Sequence, residues 1–281
     1  MKISLVVTTY NRPTALTLVL RSLLQQQRMP DEILIADDGS THETRVAIQT
    51  MAKTSAVPML HLWQKDEGFR AAAARNLSVA AAQGDLIVFL DGDCVARPDF
   101  IAQHQRLAET GHFVAGSRIL LNPDLTETVT NQQAHLYQWG RWKWLLQRLQ
   151  GHTNRWWPLC HLPGQTWRKL HPMRWQSART CNLAVWRRDL WAVNGFDEQY
   201  QGWGHEDADL AVRLIRHGVH YKNGRFATTV LHLWHQENDR SQLPDNLAKL
   251  ETILHSSQTQ AAQGLNRYSP QMIASALQRL A

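Results

Sequence analysis

Apolar positions fall in short blocks separated by polar turns, and the spacing inside each block predicts its form. Residues 3–8 make a β-rich run, and residues 15–27 carry Leu16, Val19, Leu20, Leu23 and Leu24 at helical spacing, so the chain opens strand then helix. Residues 32–36 predict a second short buried strand ending in Asp37-Asp38-Gly39-Ser40. A helix over 42–53, a strand over 59–63 and a helix over 71–82 follow, the last closed by Gly84. Residues 86–90 are a continuous apolar strand that stops at Asp91-Gly92-Asp93.

Strands alternating with helices across short turns predict an α/β fold, with a mainly parallel central sheet and helices on both faces. Such sheets bind ligands at the carboxyl ends of their strands. Residues 8–12, 37–40 and 91–93 each follow a predicted strand, so they should be neighbours at one edge.

Further along, the pattern changes. Nine of the twelve tryptophans lie within residues 137–191, set among Arg, Lys and His. A subdomain core packed with indoles would produce this, and so would a basic aromatic surface for a membrane interface or for sugar stacking. Nucleic acid is not expected as a partner, because no binding module is recognisable. After His235 the chain turns polar, and residues 244–281 read as one or two peripheral helices.

Composition narrows the class. The 281 residues are 43% hydrophobic and 19% charged, values of a globular protein rather than a disordered one. A net charge of +6 favours anionic partners, whether nucleotide phosphates, phospholipid head groups or nucleic acid, without choosing among them. The N-terminal run reads as a first strand rather than a signal peptide, and no segment approaches the roughly 18 apolar residues of a membrane span. The expectation is a cytoplasmic protein, free or peripheral on the inner face of the plasma membrane. Cys94, Cys160 and Cys181 are odd in number, widely spaced and without a paired CxxC, which predicts reduced thiols rather than disulfides or a zinc site.

Three segments carry candidate chemistry. Asp91-Gly92-Asp93 places two carboxylates at a strand end, hard oxygen ligands for a divalent cation whose remaining ligands a diphosphate can supply; a solvated turn would give the same pattern. Glu206, Asp207 and Asp209 open a predicted helix, where the dipole favours acids. Capping leaves the preceding Gly202-Trp203-Gly204 unexplained, whereas a tryptophan beside a carboxylate offers a flat face for a sugar ring and a general base for its hydroxyl. His232 and His235 are more often structural as a type, but neutral imidazole suits Mn²⁺ beside carboxylates.

In order and spacing, Thr8-Thr9-Tyr10-Asn11-Arg12, Asp37-Asp38-Gly39-Ser40, Glu67-Gly68-Phe69-Arg70 with Ala74-Arg75-Asn76, and Phe89-Leu90-Asp91-Gly92-Asp93 resemble family 2 glycosyltransferases of GT-A fold. Gly202-Trp203-Gly204-His205-Glu206-Asp207 is similar to the acceptor segment of β-1,4-galactosyltransferases, polypeptide N-acetylgalactosaminyltransferases and bacterial chondroitin polymerases. The resemblance spans about residues 1–240. It implies a nucleotide-sugar-binding half over 1–115 and an acceptor-binding, catalytic half over 116–240, with a Trp-rich basic insertion at 137–191 and a helical extension over 241–281.

Residue by residue, the resemblance implies that Thr8 and Tyr10 line a uracil pocket and Asp38 contacts the nucleoside. Arg12, Arg75 and Gly92 lie at the donor, Asp91 approaches the ribose or the metal, and Asp93 is a direct metal ligand. Asp207 matches the inverting catalytic base, Glu206 holds substrate hydroxyls, and Trp203 with Gly204 forms the sugar platform. His235, in His-Gln-Glu ahead of Asn238-Asp239-Arg240, resembles the chondroitin-polymerase segment and is the preferred third metal ligand. His232 fits the Val-x-His pattern of the galactosaminyltransferases and is the alternative. His205 departs from the family, standing where a small residue is common.

The implied function is an inverting, Mn²⁺- or Mg²⁺-dependent transfer from a UDP-sugar to a glycan or lipid-linked glycan, in bacterial surface polysaccharide or lipopolysaccharide assembly. Two rivals are weighed against it. A nucleotidyltransferase making a nucleotide-sugar would need a Gly-rich phosphate loop, which residues 8–13 lack. A non-catalytic basic protein binding membrane or nucleic acid would leave the acidic blocks without a role.

Overall fold

The computed structural model describes residues 1–280. Its first half runs β1 (Ile3–Thr9), α1 (Pro13–Leu23), β2 (Glu32–Asp37), α2 (His42–Ala52), β3 (Met59–Trp63), α3 (Ala71–Ala81) and β4 (Leu86–Asp91). There follow β5 (Cys94–Val95), α4 (Phe100–Leu107), β6 (His112–Ala115), β7 (Arg118–Leu120), α5 (Pro123–Asn131) and α6 (Arg141–Leu149). The remainder comprises β8 (Asn182–Trp186), α7 (Arg187–Ala192), α8 (Glu206–Arg216), β9 (His220–Asn223), β10 (Val230–His232), α9 (Leu243–Leu254), α10 (Pro270–Ala276) and β11 (Leu277–Gln278).

The α/β pattern is realised as an eight-stranded sheet in the order β11-β3-β2-β1-β4-β8-β6-β9. Within it β3, β2, β1 and β4 are mutually parallel, β8 and β11 run against their neighbours, and β6 pairs parallel with β9. Strand alternation builds two cores. Ile3, Leu5 and Val7 face one, beneath α1, whereas Val6 faces the other with Leu34, Phe89 and the small Ala72 and Ala74 of α3. Both faces are covered, which is why the central strands read as unbroken apolar runs.

Two boundaries differ from expectation for local reasons. The first helix stops at Leu23 rather than 27, because the Gln27 N–H leaves the helix for the Pro98 carbonyl and the buried Gln26 amide bonds the Arg97 carbonyl. Where one or two peripheral helices were expected, the C-terminal segment holds two, with α9 packed on α8 through Val212, Leu250 and Ile253, yet it also returns as β11 to pair with the edge strand β3. The tryptophans divide. Trp144 is buried and packs on Trp139 with ring centroids 5.1 Å apart, while Trp142, Trp157 and Trp191 are exposed. All three cysteines are free, and among the described residues no helix is long and apolar enough to cross a membrane.

A second, three-stranded sheet, β5-β10-β7, sits at the end of β4. Its register sets His232 opposite Cys94, and the Leu233 N–H donates to the Asp93 carbonyl at 2.9 Å. Non-local pairing thereby carries a distant histidine segment to the Asp-Gly-Asp turn.

Candidate active site

Strand register assembles the first wall. Thr8 lies beside Asp91 across β1 and β4, and Thr9 beside Asp37 across β1 and β2, so the three polar segments meet at one sheet edge. Gly92 is required there for close approach: its N–H donates to the Thr8 carbonyl at 2.7 Å, and a Cβ would come within 2.9 Å of that oxygen. Asp38 is buried, accepting from the Arg70 N–H at 2.7 Å and the Gln64 amide at 2.5 Å. Burial outweighs these bonds and raises its pKa to about 6. Tyr10 is exposed, with its hydroxyl donating to Asp66 at 3.0 Å.

Arg75 joins this wall to the opposite one. From α3 its buried guanidinium reaches the Thr8 hydroxyl at 3.2 Å, Asp91 at 3.3 Å and Glu206 at 3.0 Å. Burial and the neighbouring Asp207 outweigh Arg75 at Glu206 and push its carboxyl up to about 7; burial likewise raises Asp91 to about 6.

Glu206 and Asp207 open α8, and what holds that helix is Arg213. Fully buried, its guanidinium pairs with Asp209 and donates to the Val193 and Gly195 carbonyls at 2.7 Å. Ahead of the helix the backbone passes through positive φ at Gly202, Gly204 and His205. At His205, where φ is +74°, that conformation is uncommon for a residue with a side chain. Trp203 lies under the Arg240 guanidinium, 4.8 Å from its ring centroid. One oxygen of Asp207 accepts the Thr180 N–H at 3.1 Å; the other, Oδ1, has no hydrogen-bond partner among the described residues.

The donor set for a divalent cation centres on Asp93. His232 Nε2 lies 3.6 Å from one carboxylate oxygen and His235 Nε2 3.4 Å from the other. Burial lowers the pKa of His232, favouring the neutral form that binds metal. The ligand atoms of Asp93, Cys94 and His232 lie within 4.8 Å of one another, with His235 reaching Asp93 from its other oxygen, and carboxylate with imidazole is a donor set suited to Mn²⁺ more than to Mg²⁺. Cys94 Sγ is also near, but it is wholly buried and a soft ligand for so hard an ion. Arg12 donates to Asp93 at 3.0 Å and holds the carboxylate from the same side as His235.

Thr8, Tyr10, Arg12, Asp38, Arg75, Asp91, Gly92, Asp93, Trp203, Gly204, Glu206, Asp207, His232 and His235 thus line a single cleft of about 580 Å³. Several residues that no sequence motif marks also line it, including Arg118, Arg179 and Thr180. Thr180 leads into β8 and Arg118 opens β7, so only the tertiary pairing of those strands reveals them. Asp37, which accepts from Ser40 N–H and pairs with the buried His61 at 2.7 Å, supports the wall from behind.

Fold and cleft together define a GT-A nucleotide-diphospho-sugar transferase architecture. The model for glycosyl transferase family 2 matches residues 4–168, and that of the N-terminal domain of galactosyltransferase matches residues 167–236. The chain belongs to glycosyl transferase family 2. It is 30% identical over 231 residues to a validoxylamine A glucosyltransferase of Streptomyces hygroscopicus subsp. limoneus, covering 77% of this chain and 48% of that one. It is 26% identical over 257 residues to a chondroitin synthase of Escherichia coli, covering 84% of this chain and 34% of that one. The chain therefore spans about half or less of the length of these relatives. In fold it resembles S. aureus TarS 1-349 in complex with UDP (TM-score 0.60, 14% identity, 98% of this chain and 70% of that one). It also resembles the mannosyltransferase PcManGT of Pyrobaculum calidifontis in complex with GDP-Man and Mn²⁺ (TM-score 0.60, 16% identity, 98% and 69%).

Proposed function

We propose that this chain is a metal-dependent, inverting glycosyltransferase that moves a sugar from a UDP-sugar to a glycan or lipid-linked glycan. The observation that carries the reading is Asp207: one oxygen accepts the Thr180 N–H, and the other is buried without a hydrogen-bond partner among the described residues, at the wall of a cleft that also holds Asp38, Asp91 and Asp93. A carboxylate oriented through one oxygen and free at the other suits a general base. In a single displacement, Asp207 takes the acceptor hydroxyl proton as that oxygen attacks the anomeric carbon, while the bond to the nucleoside diphosphate breaks and the configuration inverts.

Trp203 is the sugar platform and Glu206, tied to Arg75, orients substrate hydroxyls. Asp38, Thr8 and Tyr10 receive the nucleoside, and Arg12 and Arg75 lie by its phosphates. Asp93 with His235 and His232 would hold the cation, Asp91 lying alongside; when bound, Mn²⁺ or Mg²⁺ supplies positive charge against the departing diphosphate. The UDP bound to the TarS relative and the GDP-Man and Mn²⁺ bound to the PcManGT relative support a nucleotide-sugar donor and a divalent ion. The chondroitin synthases of Escherichia coli and Pasteurella multocida among the sequence relatives support a bacterial glycan as the setting. Neither rival reading accounts for both acidic walls of the cleft.

A screen of UDP-sugars for release of free UDP, with Mn²⁺ and with EDTA, tests the reading. Release that depends on the metal and rises with an added glycan acceptor supports it. Pyrophosphate as product, or full turnover in chelator, would overturn it.

A further inference from the structure

The charge of the chain is not spread evenly. Residues 128–188 contain ten of its thirty Lys and Arg and none of its twenty-four Asp and Glu, so the rest of the molecule is net acidic and the positive balance belongs to this one segment. Within it stands α6, Arg-Trp-Lys-Trp-Leu-Leu-Gln-Arg-Leu, which is apolar on two opposite sides. Trp144 points inward and is 3% exposed, pinned against Trp139 and the main core. On the far side Trp142, Leu146 and Leu149, at i, i+4 and i+7, form a stripe 83%, 51% and 76% exposed. Arg141 and Lys143 lie about 100° around the helix on either side of that stripe, the Lys143 ammonium resting 3.6 Å from the centroid of the Trp139 ring.

A core helix would not leave its largest indole in water, and a merely solvated helix would not line one face with tryptophan and leucine. Indole and leucine on an outward face, flanked by long cationic side chains that can lay their stems along an apolar boundary, match the interface of an anionic bilayer. We infer that α6 is a docking helix that seats Trp142, Leu146 and Leu149 in the headgroup region of an anionic membrane, with Arg141 and Lys143 against the lipid phosphates.

The place of the helix in the fold gives docking a consequence. Immediately after α6 the His152 carbonyl accepts from the Asn122 N–H at 2.9 Å, Asn154 accepts from the Leu120 N–H at 3.0 Å, and Arg155 donates to the Arg118 carbonyl at 3.0 Å. Arg118, Leu120 and Leu121 line the cleft. Docking at α6 is thus coupled through residues 152–155 to a strand that lines the cleft; on the proposed transferase reading, this would keep the cleft close to a membrane that carries a lipid-linked acceptor.

The test is independent of turnover. Full-length protein is floated with vesicles of phosphatidylcholine alone or with roughly one third phosphatidylglycerol, at low and high salt. Wild type is expected on the anionic vesicles at low salt, weakening as salt rises. The combined Trp142→Ser, Leu146→Ser and Leu149→Ser variant should bind at least about tenfold more weakly while keeping its melting temperature, since the three side chains are already in solvent. Arg141→Gln with Lys143→Gln should lose the preference for anionic over neutral lipid. Absence of wild-type binding at low salt, or equal binding by the triple variant, would overturn the assignment. So would concentration-dependent dimerisation of the wild type that the triple variant loses, because the stripe would then belong to a second copy of the chain. Failure of UDP release with vesicle binding intact would count against the transferase reading alone.

Discussion

At the scale of single residues, the cleft is a set of carboxylates held in unequal surroundings. Glu206 titrates near 7 because burial and the adjacent Asp207 prevail over its ion pair with Arg75. Folding therefore strengthens its hold on a proton that the unfolded chain releases near pH 4.5. Its contribution to stability is greatest below that value and declines as pH rises toward 7. In Glu206→Gln, which stays neutral and can still bond Arg75, the melting temperature should fall less between pH 5 and pH 8 than in wild type. Identical profiles for the two proteins would contradict the raised value. Asp38, Asp91 and Asp93 were legible in the sequence because each sits within three residues of the end of a predicted strand. Thr180 was not, since its contribution is a backbone N–H, which any residue but proline supplies.

At the scale of elements, the histidine side of the cleft depends on β10 being threaded between β5 and β7. Sequence left His232 and His235 as alternatives because each was judged by motif, and the register of β10 on β5 brings both to Asp93. If both serve, His232→Ala and His235→Ala should each weaken Mn²⁺ binding in the presence of UDP by about tenfold or more, read by calorimetry. Unchanged affinity in either variant would remove that histidine from the ligand set. The opening strands and helices were legible through apolar spacing, and their caps and loops differed only where a side chain such as Gln26 claimed a loop carbonyl. The segment from 150 to 181 was not, because it is held by short 3-10 turns and individual contacts such as Arg168 to the Asn223 and Arg225 carbonyls rather than by any periodic face.

At the scale of the whole molecule, one sheet carries the edge formed by Thr8, Asp38 and Asp91, and α8 carries the opposite wall, with Arg75 tying the two through Asp91 and Glu206. A cleft built this way predicts joint binding. UDP with Mn²⁺ should raise the melting temperature by more than the sum of the two given singly, because ligand affinity for the folded state adds to stability; simple additivity would mean separate sites. Asp209, two residues beyond the proposed base, is buried in its ion pair with Arg213 and so belongs to the framework of α8. Its substitution should lower the melting temperature, which makes Asp209→Asn a control for folding rather than for chemistry. The central claim rests on Asp207, and the most direct measurement is kcat for Asp207→Asn beside its affinity for UDP. With the base lost and its shape kept, kcat should fall by roughly 10²-fold or more while UDP affinity stays near that of wild type; a near-normal rate in the folded variant would contradict the account.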